Sequence, residues 1–457
     1  MKQERRKWWV LAAMGVIGGL FLLDETVVGV ALPSIRHDLQ MSATQTHWVI
    51  SIYFLTFTVF AAISGKTGDR IGFRNVVILG GSLFGLASLG CGLAPDASFL
   101  IAARAVQGIG AAILFPSTIA MISIVFPEDQ RGMAIGAFAA ITTTFLAIGP
   151  LVGGLLTELL SWPWVFWVNV PLVPAIIAVI LVAWTDLPRE AQPPKLDYAG
   201  LIMLTAGLCL IVFTIMQGAS WGWANAAIIG PMAAGTVALI LFVHIENRQE
   251  IPLIEVDLFR SASFSASVLV LFIGQYCKII VVVFGALYLQ DALGMQPLMT
   301  GFALLAAVVG FPFLSGPVGR LADRHGARKP VLAGLAVATV AMGWIAYAAT
   351  GHGYAFLLPG LIGWGLGMPF CYVPVLRLIT NSVSLDKQGQ ASGIAATSRL
   401  VGGTMGVSLS STMLVSTGSF SAVFTLTGAL MLVTLLFGWW AIERPSQGVN
   451  NDQRQKP

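Results

Sequence analysis

Gly65-Lys66-Thr67-Gly68-Asp69-Arg70-Ile71-Gly72-Phe73-Arg74 and Gly319-Arg320-Leu321-Ala322-Asp323-Arg324-His325-Gly326-Ala327-Arg328 carry one pattern, G-x-x-x-D-R-x-G-x-R, at an offset of 254 residues. Each copy follows one apolar stretch and precedes another, so both read as short polar turns between such stretches. A pattern repeated in matching settings marks a chain built from two related halves. Composition says what the halves are made of. Of 457 residues, 56% are hydrophobic and 10% charged, against about 25% charged in soluble domains, and the mean hydropathy is +0.83. So much apolar surface cannot be hidden in soluble cores, which excludes a water-soluble multidomain enzyme and leaves an all-α polytopic membrane protein. The net charge of +4 is small and scattered, which argues against nucleic-acid binding.

A helix needs about 20 apolar residues to cross a bilayer. Dividing the chain where charges, Pro and Gly cluster gives spans at 8–30, 47–65, 75–94, 98–125, 132–157, 163–184, 198–217, 225–245, 263–289, 299–318, 330–350, 354–376, 388–414 and 419–442. Span 13, rich in glycine, carries the weakest apolar signal. An N-terminus in the cytoplasm places 21 of the 25 Lys and Arg residues in cytoplasmic segments, as the positive-inside rule requires. Both termini are then cytoplasmic. The basic tail before Trp8 resembles a secretion signal, but Asp24 and Glu25 interrupt the region where a cleavage site would lie, so the first span is expected to stay. Cys91, Cys209, Cys277 and Cys371 all fall in apolar runs and suggest neither disulfide nor metal site.

The repeat divides the chain into an N-terminal six-helix bundle at 1–185, a linker with two additional spans at 186–262, a C-terminal six-helix bundle at 263–443 and a cytoplasmic tail at 444–457. Further motifs fit that plan: Arg104-x-x-Gln107-Gly108-x-Gly110 in span 4, Gly149-Pro150-x-x-Gly153-Gly154 in span 5, the run Leu23-Asp24-Glu25-Thr26-Val27-Val28-Gly29-Val30-Ala31-Leu32-Pro33, and Trp162-Pro163-Trp164 leading through Phe166 to Asn169 and Pro171. Together with the two D-R-x-G turns they resemble the major facilitator superfamily over nearly the whole chain, and within it the fourteen-span drug/proton antiporters. The sequence departs from that family at Gly29, where Asn is usual, and at Pro163, where Arg is usual.

The resemblance implies two pseudo-symmetric six-helix bundles plus two inserted helices, no enzymatic activity and no cofactor. It implies proton-coupled export of lipophilic drugs by alternating access, in a monomer of the bacterial inner membrane whose partners are lipid, protons and a lipophilic substrate, with a periplasmic adaptor protein as a further partner. Asp69, Arg70, Arg74, Asp323, Arg324 and Arg328 take the place of its gating motif. Gly149, Pro150, Gly153 and Gly154 take that of its antiporter motif, expected to seal span 5 against span 8 or 9. Export of one dedicated metabolite, lipid or antibiotic is the alternative, and a non-transporting sensor on the same fold a more distant one. The sequence has no G-x-x-x-x-G-K-[ST] loop with which to bind ATP.

Charges within spans are costly and face cavities or partners. Five stand here: Asp24, Glu25, Arg104, Lys278 and Arg399. At about 1.5 Å per residue, Asp24, Lys278 and Arg104 lie at similar depth, and Asp24 and Lys278 are separated by the repeat offset of 254. A carboxyl in a membrane cavity can take a proton from one side and release it on the other, which makes Asp24 and Glu25 the candidate coupling residues with Arg104 as modulator. The competing reading is a static cluster of Asp24, Arg104 and Lys278. Adjacent helical residues point about 100° apart, so the two acids cannot share one partner. Lys278 or Arg104 is expected to neutralise Asp24 and leave Glu25 to exchange. Lys278, Tyr53, Tyr276, Tyr288, Trp364, Phe370 and Tyr372 are candidate lining of a substrate cavity. Arg399, beside Gly402, Gly403 and Gly406, reads as a packing residue.

Overall fold

The computed structural model describes residues 3–64, 71–185, 198–249, 256–381 and 388–442. Among these residues the chain forms fourteen long helices and no strand. In order they are α1 (Gln3–Asp38), α2 (Ala43–Ser64), α3 (Phe73–Gly92), α4 (Ala97–Val125), α5 (Glu128–Leu159), α6 (Trp164–Trp167 and Asn169–Ala183), α7 (Tyr198–Trp221), α8 (Ala226–Glu246), α9 (Ala262–Ile279, running on to Ala292), α10 (Pro297–Val308 and Gly310–His325), α11 (Arg328–Ala348), α12 (Tyr354–Asn381), α13 (Gln388–Thr417) and α14 (Phe420–Ala441). Each predicted span falls on one of them. Twelve are long and apolar enough to cross a membrane, the other two being α2 and α13. Arg6 near the start of α1 meets Thr185 just after α6, and Arg328 at the start of α11 meets Trp439 near the end of α14; the side of these ends is called the terminal face and the side of the α1–α2 connection the far face.

Helix ends follow local chemistry. Asp96 accepts from the Phe99 N–H, Asn225 from that of Ala227, Ser261 from that of Phe264 and Ser419 from that of Ala422, each satisfying a donor that a helix start leaves free. Gly72 and Gly326, separated by the same 254 residues, both hold a left-handed backbone with φ of 86° and 80°. Only glycine adopts such an angle without strain, so the repeat is built into the backbone as well as the sequence. The second copy of the repeated pattern is less of a turn than expected: α10 stays helical through His325 and the chain reverses at Gly326.

α1 and α9 form the centre. In each, 89% of the apolar stretch is buried, against 22–50% in the other ten membrane-length helices. They meet back to back, and a Cβ at Gly29 would stand 3.2 Å from the Val283 side chain. The departure from Asn at position 29 therefore coincides with a tight helix crossing. α9 is irregular there, with π-helical turns at Ile280–Phe284 and Tyr288–Ala292; such turns shift the register of the side chains that follow and often mark functional segments.

Around this pair, α1 packs on α4, α5 and α6, while α9 packs on α12, α13 and α14. α2 crosses to α13 and α5 to α10. α7 and α8 pair with each other, and α7 lies along α2 and α13 over a separate apolar cluster of Leu55, Val59, Leu204, Leu208 and Val212. The weak signal of α13 has a physical reason: Gly402 and Gly406 lie directly against the backbone of Phe272 and Tyr276 on α9, and small residues let membrane helices approach this closely. Trp8, Trp9, Trp439 and Trp440 are exposed at the terminal face, in the manner of an interfacial aromatic belt.

Candidate functional site

The two adjacent acids of α1 point to different neighbours, as the helical twist of about 100° per residue demands. Asp24 faces α4. Its Oδ2 accepts from Arg104 Nη1 at 2.6 Å and its Oδ1 from Gln107 Nε2 at 3.0 Å. Arg104 also donates from Nη1 to Gln107 Oε1 at 2.6 Å and from Nε to the Val49 carbonyl at 3.0 Å. Its guanidinium lies 4.2 Å from the centre of the Tyr53 ring. Gln107 donates to Ser88 Oγ at 2.9 Å, which also accepts from Asn169 Nδ2 at 3.3 Å. Five of the first six helices thus contribute to one buried network.

Glu25 faces α9. Lys278 Nζ donates to its Oε2 at 3.0 Å and Gln275 Nε2 to its Oε1 at 3.3 Å. Tyr372 of α12 donates to Gln275 Oε1 at 3.3 Å, and the Arg399 guanidinium stands 5.4 Å from the Tyr372 ring centre. Both ions of each pair are almost fully buried. Of the two cations expected to neutralise Asp24, Arg104 does so, and Lys278 is corrected to Glu25, which lies one residue of helical twist further on.

The aromatic candidates fall into two groups. Tyr53 and Tyr372 flank the two ion pairs. The others are engaged in packing among the last six helices: Tyr276 Oη shares a hydrogen bond with Ser410 at 3.1 Å, Tyr288 packs edge-on against Phe420 and Phe424, Trp364 Nε1 donates to Cys277 Sγ at 2.9 Å, and Phe370 lies against Gly334 of α11. A cavity of about 10 Å³ between α1, α3, α4 and α6, lined by Phe21, Phe84 and Leu114, has room for no more than a water-sized body.

Gly149 and Gly153 of α5 lie against Thr26 and Val27, directly after the two acids, while Gly154 meets the Pro297 carbonyl and Gly301 meets that of Pro150. The partner of α5 across the chain is therefore α10, which corrects the expected span 8 or 9. Close approach of the bent α5 at Pro150 to the start of α10 explains the choice, since both helices present glycine there. Of the gating candidates, Asp69 and Arg70 lie outside the described residues, as does the side chain of Asp323. Arg74 is half-buried at the start of α3, Arg324 is exposed, and Arg328 donates to the Trp439 carbonyl at 2.8 Å, tying α11 to α14.

The far face is closed by polar contacts between the first and last six helices. Arg36 Nη2 pairs with Asp291 Oδ1 at 2.8 Å, Gln290 donates to the Val30 carbonyl at 2.7 Å, and Glu158 accepts from the Leu298 N–H at 2.9 Å. The sequence reading passed over Gln275, Ser88 and His47, and named Asn169 only as part of a motif. Each is a polar residue within an apolar run, and that was the available signal.

The profile of the Major Facilitator Superfamily matches residues 14–406 and 264–457. The puromycin resistance protein pur8 of Streptomyces alboniger is 34% identical over 92% of this chain and 84% of its own length. The multidrug resistance protein Stp of Mycobacterium tuberculosis is 31% identical over 88% of this chain and 75% of its own. The tetracenomycin C resistance and export protein of Streptomyces glaucescens is 28% identical over 90% and 76%.

Proposed function

This chain belongs to the major facilitator superfamily of membrane transporters, and we propose that it exports lipophilic small molecules by alternating access, driven by protons that enter through Glu25. The observation that carries the reading is the ion pair between Glu25 and Lys278. It joins α1 of the first six helices to α9 of the last six at 3.0 Å, in the middle of the seam that alternating access must open. A proton on Glu25 removes the attraction and leaves a buried ammonium without its counter-ion, a costly state. Water reaching the seam relieves that cost, so protonation and separation of the halves favour each other. Asp24 does not cross the seam, and its role is to hold Arg104.

The division into bundles at 1–185 and 263–443 joined by 186–262 belongs to this reading, since each half must move as a body. So do a cytoplasmic terminal face in a bacterial plasma membrane, favoured by the bias of Lys and Arg to that side, and a monomer as the working unit. Efflux of drugs or antibiotics is supported by the names of the relatives. Two of those names specify a single compound, which favours a dedicated antibiotic exporter as the second reading.

Reconstitution into liposomes with an imposed pH gradient and a panel of lipophilic dyes and antibiotics tests the proposal. Wild type should accumulate substrate against its gradient. Glu25→Gln should lose uphill transport and retain downhill exchange. Uphill transport at the wild-type rate in Glu25→Gln would overturn the coupling assignment, and a response to one compound alone would select the dedicated exporter.

A further inference from the structure

Between the Glu25 pair and the far-face contacts lies a third polar crossing. His47, in the first turns of α2, is buried to 3% exposure. Its ring stacks on Phe284 of α9 with centroids 5.4 Å apart and planes 16° from parallel, and its Nδ1 is hydrogen-bonded to the Ser411 hydroxyl of α13. Phe284 closes the first π-helical turn of α9. One imidazole therefore fastens α2 to two helices of the other half, close to the side from which external protons arrive. The histidine is the natural group to respond to them, because its unperturbed pKa of about 6.5 lies within the physiological range.

We infer that His47 is a positioning residue for outward opening: the neutral ring holds the far-face seam shut, and a proton taken from the outside releases it. The charges around His47 give the direction. From α1 the nearest rim groups are Arg36, already bound to Asp291, then His37, and Asp38, which accepts from Trp162 Nε1 at 2.6 Å. From α9, Lys278 stands six residues before Phe284 and is held by Glu25, and Asp291 stands seven after it. From α13 the charged residue is Arg399, twelve residues before Ser411. α7 brings no charged side chain, and the titratable residue nearest on α2 itself is Tyr53, beneath Arg104. Among the described residues each acid on these elements is already engaged. A charged imidazole in the closed seam would lack a counter-ion, whereas the open seam would give it water.

The inference rests on alternating access and not on Glu25 as the proton carrier. The test is a distance measurement without substrate, on the full chain in lipid nanodiscs, between spin labels at Gln40→Cys and Thr350→Cys, which are exposed at the far face on opposite halves. Lowering the pH from about 7.5 to about 5.5 spans the ordinary titration of histidine. It should raise the ratio of long to short distances, by up to about tenfold per pH unit where only the open form binds the proton. His47→Gln keeps an amide that can reach Ser411 and removes the titration, so it should stay closed at both pH values; His47→Asn serves the same purpose if glutamine prevents folding. Ser411→Ala should open the seam already at the higher pH. An acid response in His47→Gln equal to that of wild type, or none in wild type, would overturn the inference. So would an acid response lost in Glu25→Gln and kept in His47→Gln, since the response would then belong to Glu25. Failure of the coupling proposal appears separately, in the liposome assay.

Discussion

Asp24 is held by Arg104 and Gln107, which are themselves fixed to α2 and α3, so its whole environment moves with the first six helices. Glu25, one residue later, is held by Lys278 and Gln275 of a single helix from the last six. The difference separates two uses of a buried charge pair. A pair within one rigid body can persist through a transport cycle and contributes by being complete, whereas a pair across a moving seam must be broken in every cycle. Under the proposed function its value lies in the ease with which a proton can break it. Under the same proposal, the static-cluster reading applies to Asp24 and Arg104 without the expected Lys278, and the coupling reading to Glu25, which Lys278 joins instead.

The largest expected effect would come from breaking the internal cluster. Arg104→Met leaves Asp24 without its cation and strips donors from the Val49 carbonyl and Gln107, and removing one member of a buried pair costs about 3–5 kcal/mol. Thermal unfolding in detergent should fall by many degrees, with loss of monodisperse protein. Lys278→Met should be milder, because Glu25 can take up a proton and become neutral. Its effect should appear in transport instead, as lost coupling and, with a fixed ammonium gone, weaker discrimination against dicationic dyes. Equal destabilisation by the two substitutions would abolish the distinction between the clusters.

Much of this was legible in the sequence. Each predicted span corresponds to a helix, because a bilayer sets a length and an apolarity that a one-dimensional reading can measure. The repeated pattern around Asp69 and Asp323 identified α1 and α9 as equivalent before either was seen at the centre. What the sequence could not supply was azimuth. Depth along a helix follows from counting, which placed Asp24, Arg104 and Lys278 at one level. Which side chain meets which depends on how each helix is rotated about its axis, and counting does not see that. The partner of α5 was missed for the same reason: Gly154 and Gly301 are both visible as glycines, but only packing brings each against the other's helix. His47 carries a signal too, as a titratable residue at the start of an apolar run.

The contact of α5 with α10 offers a way to sharpen the comparison without touching a charge. A methyl at Gly301 would run into the Pro150 carbonyl, and overpacking of this kind costs about 1–3 kcal/mol. Since the contact crosses the seam, Gly301→Ala should act more on the closed form than on the fold. Downhill leak of protons through reconstituted vesicles should rise while the unfolding temperature changes little. A variant that is unstable yet proton-tight would mean that the contact serves packing alone.

The smallest effect is expected at the far-face rim, where Arg36 and Asp291 form a crossing pair that is partly open to water. Like the Glu25 pair it joins α1 to α9, but solvent replaces each partner when the seam opens, and such pairs are worth only about 0–1 kcal/mol. Arg36→Gln should therefore leave stability within error and shift the far-face distance distribution slightly toward the open form. Raising the salt concentration on wild type should mimic it, because an exposed pair is screened while a buried one is not. The same salt change should leave the coupling of Glu25 untouched. If salt instead uncoupled transport as strongly as Glu25→Gln, the rim would be the controlling contact and the buried pair a passive one, which would reverse the order of importance argued from burial.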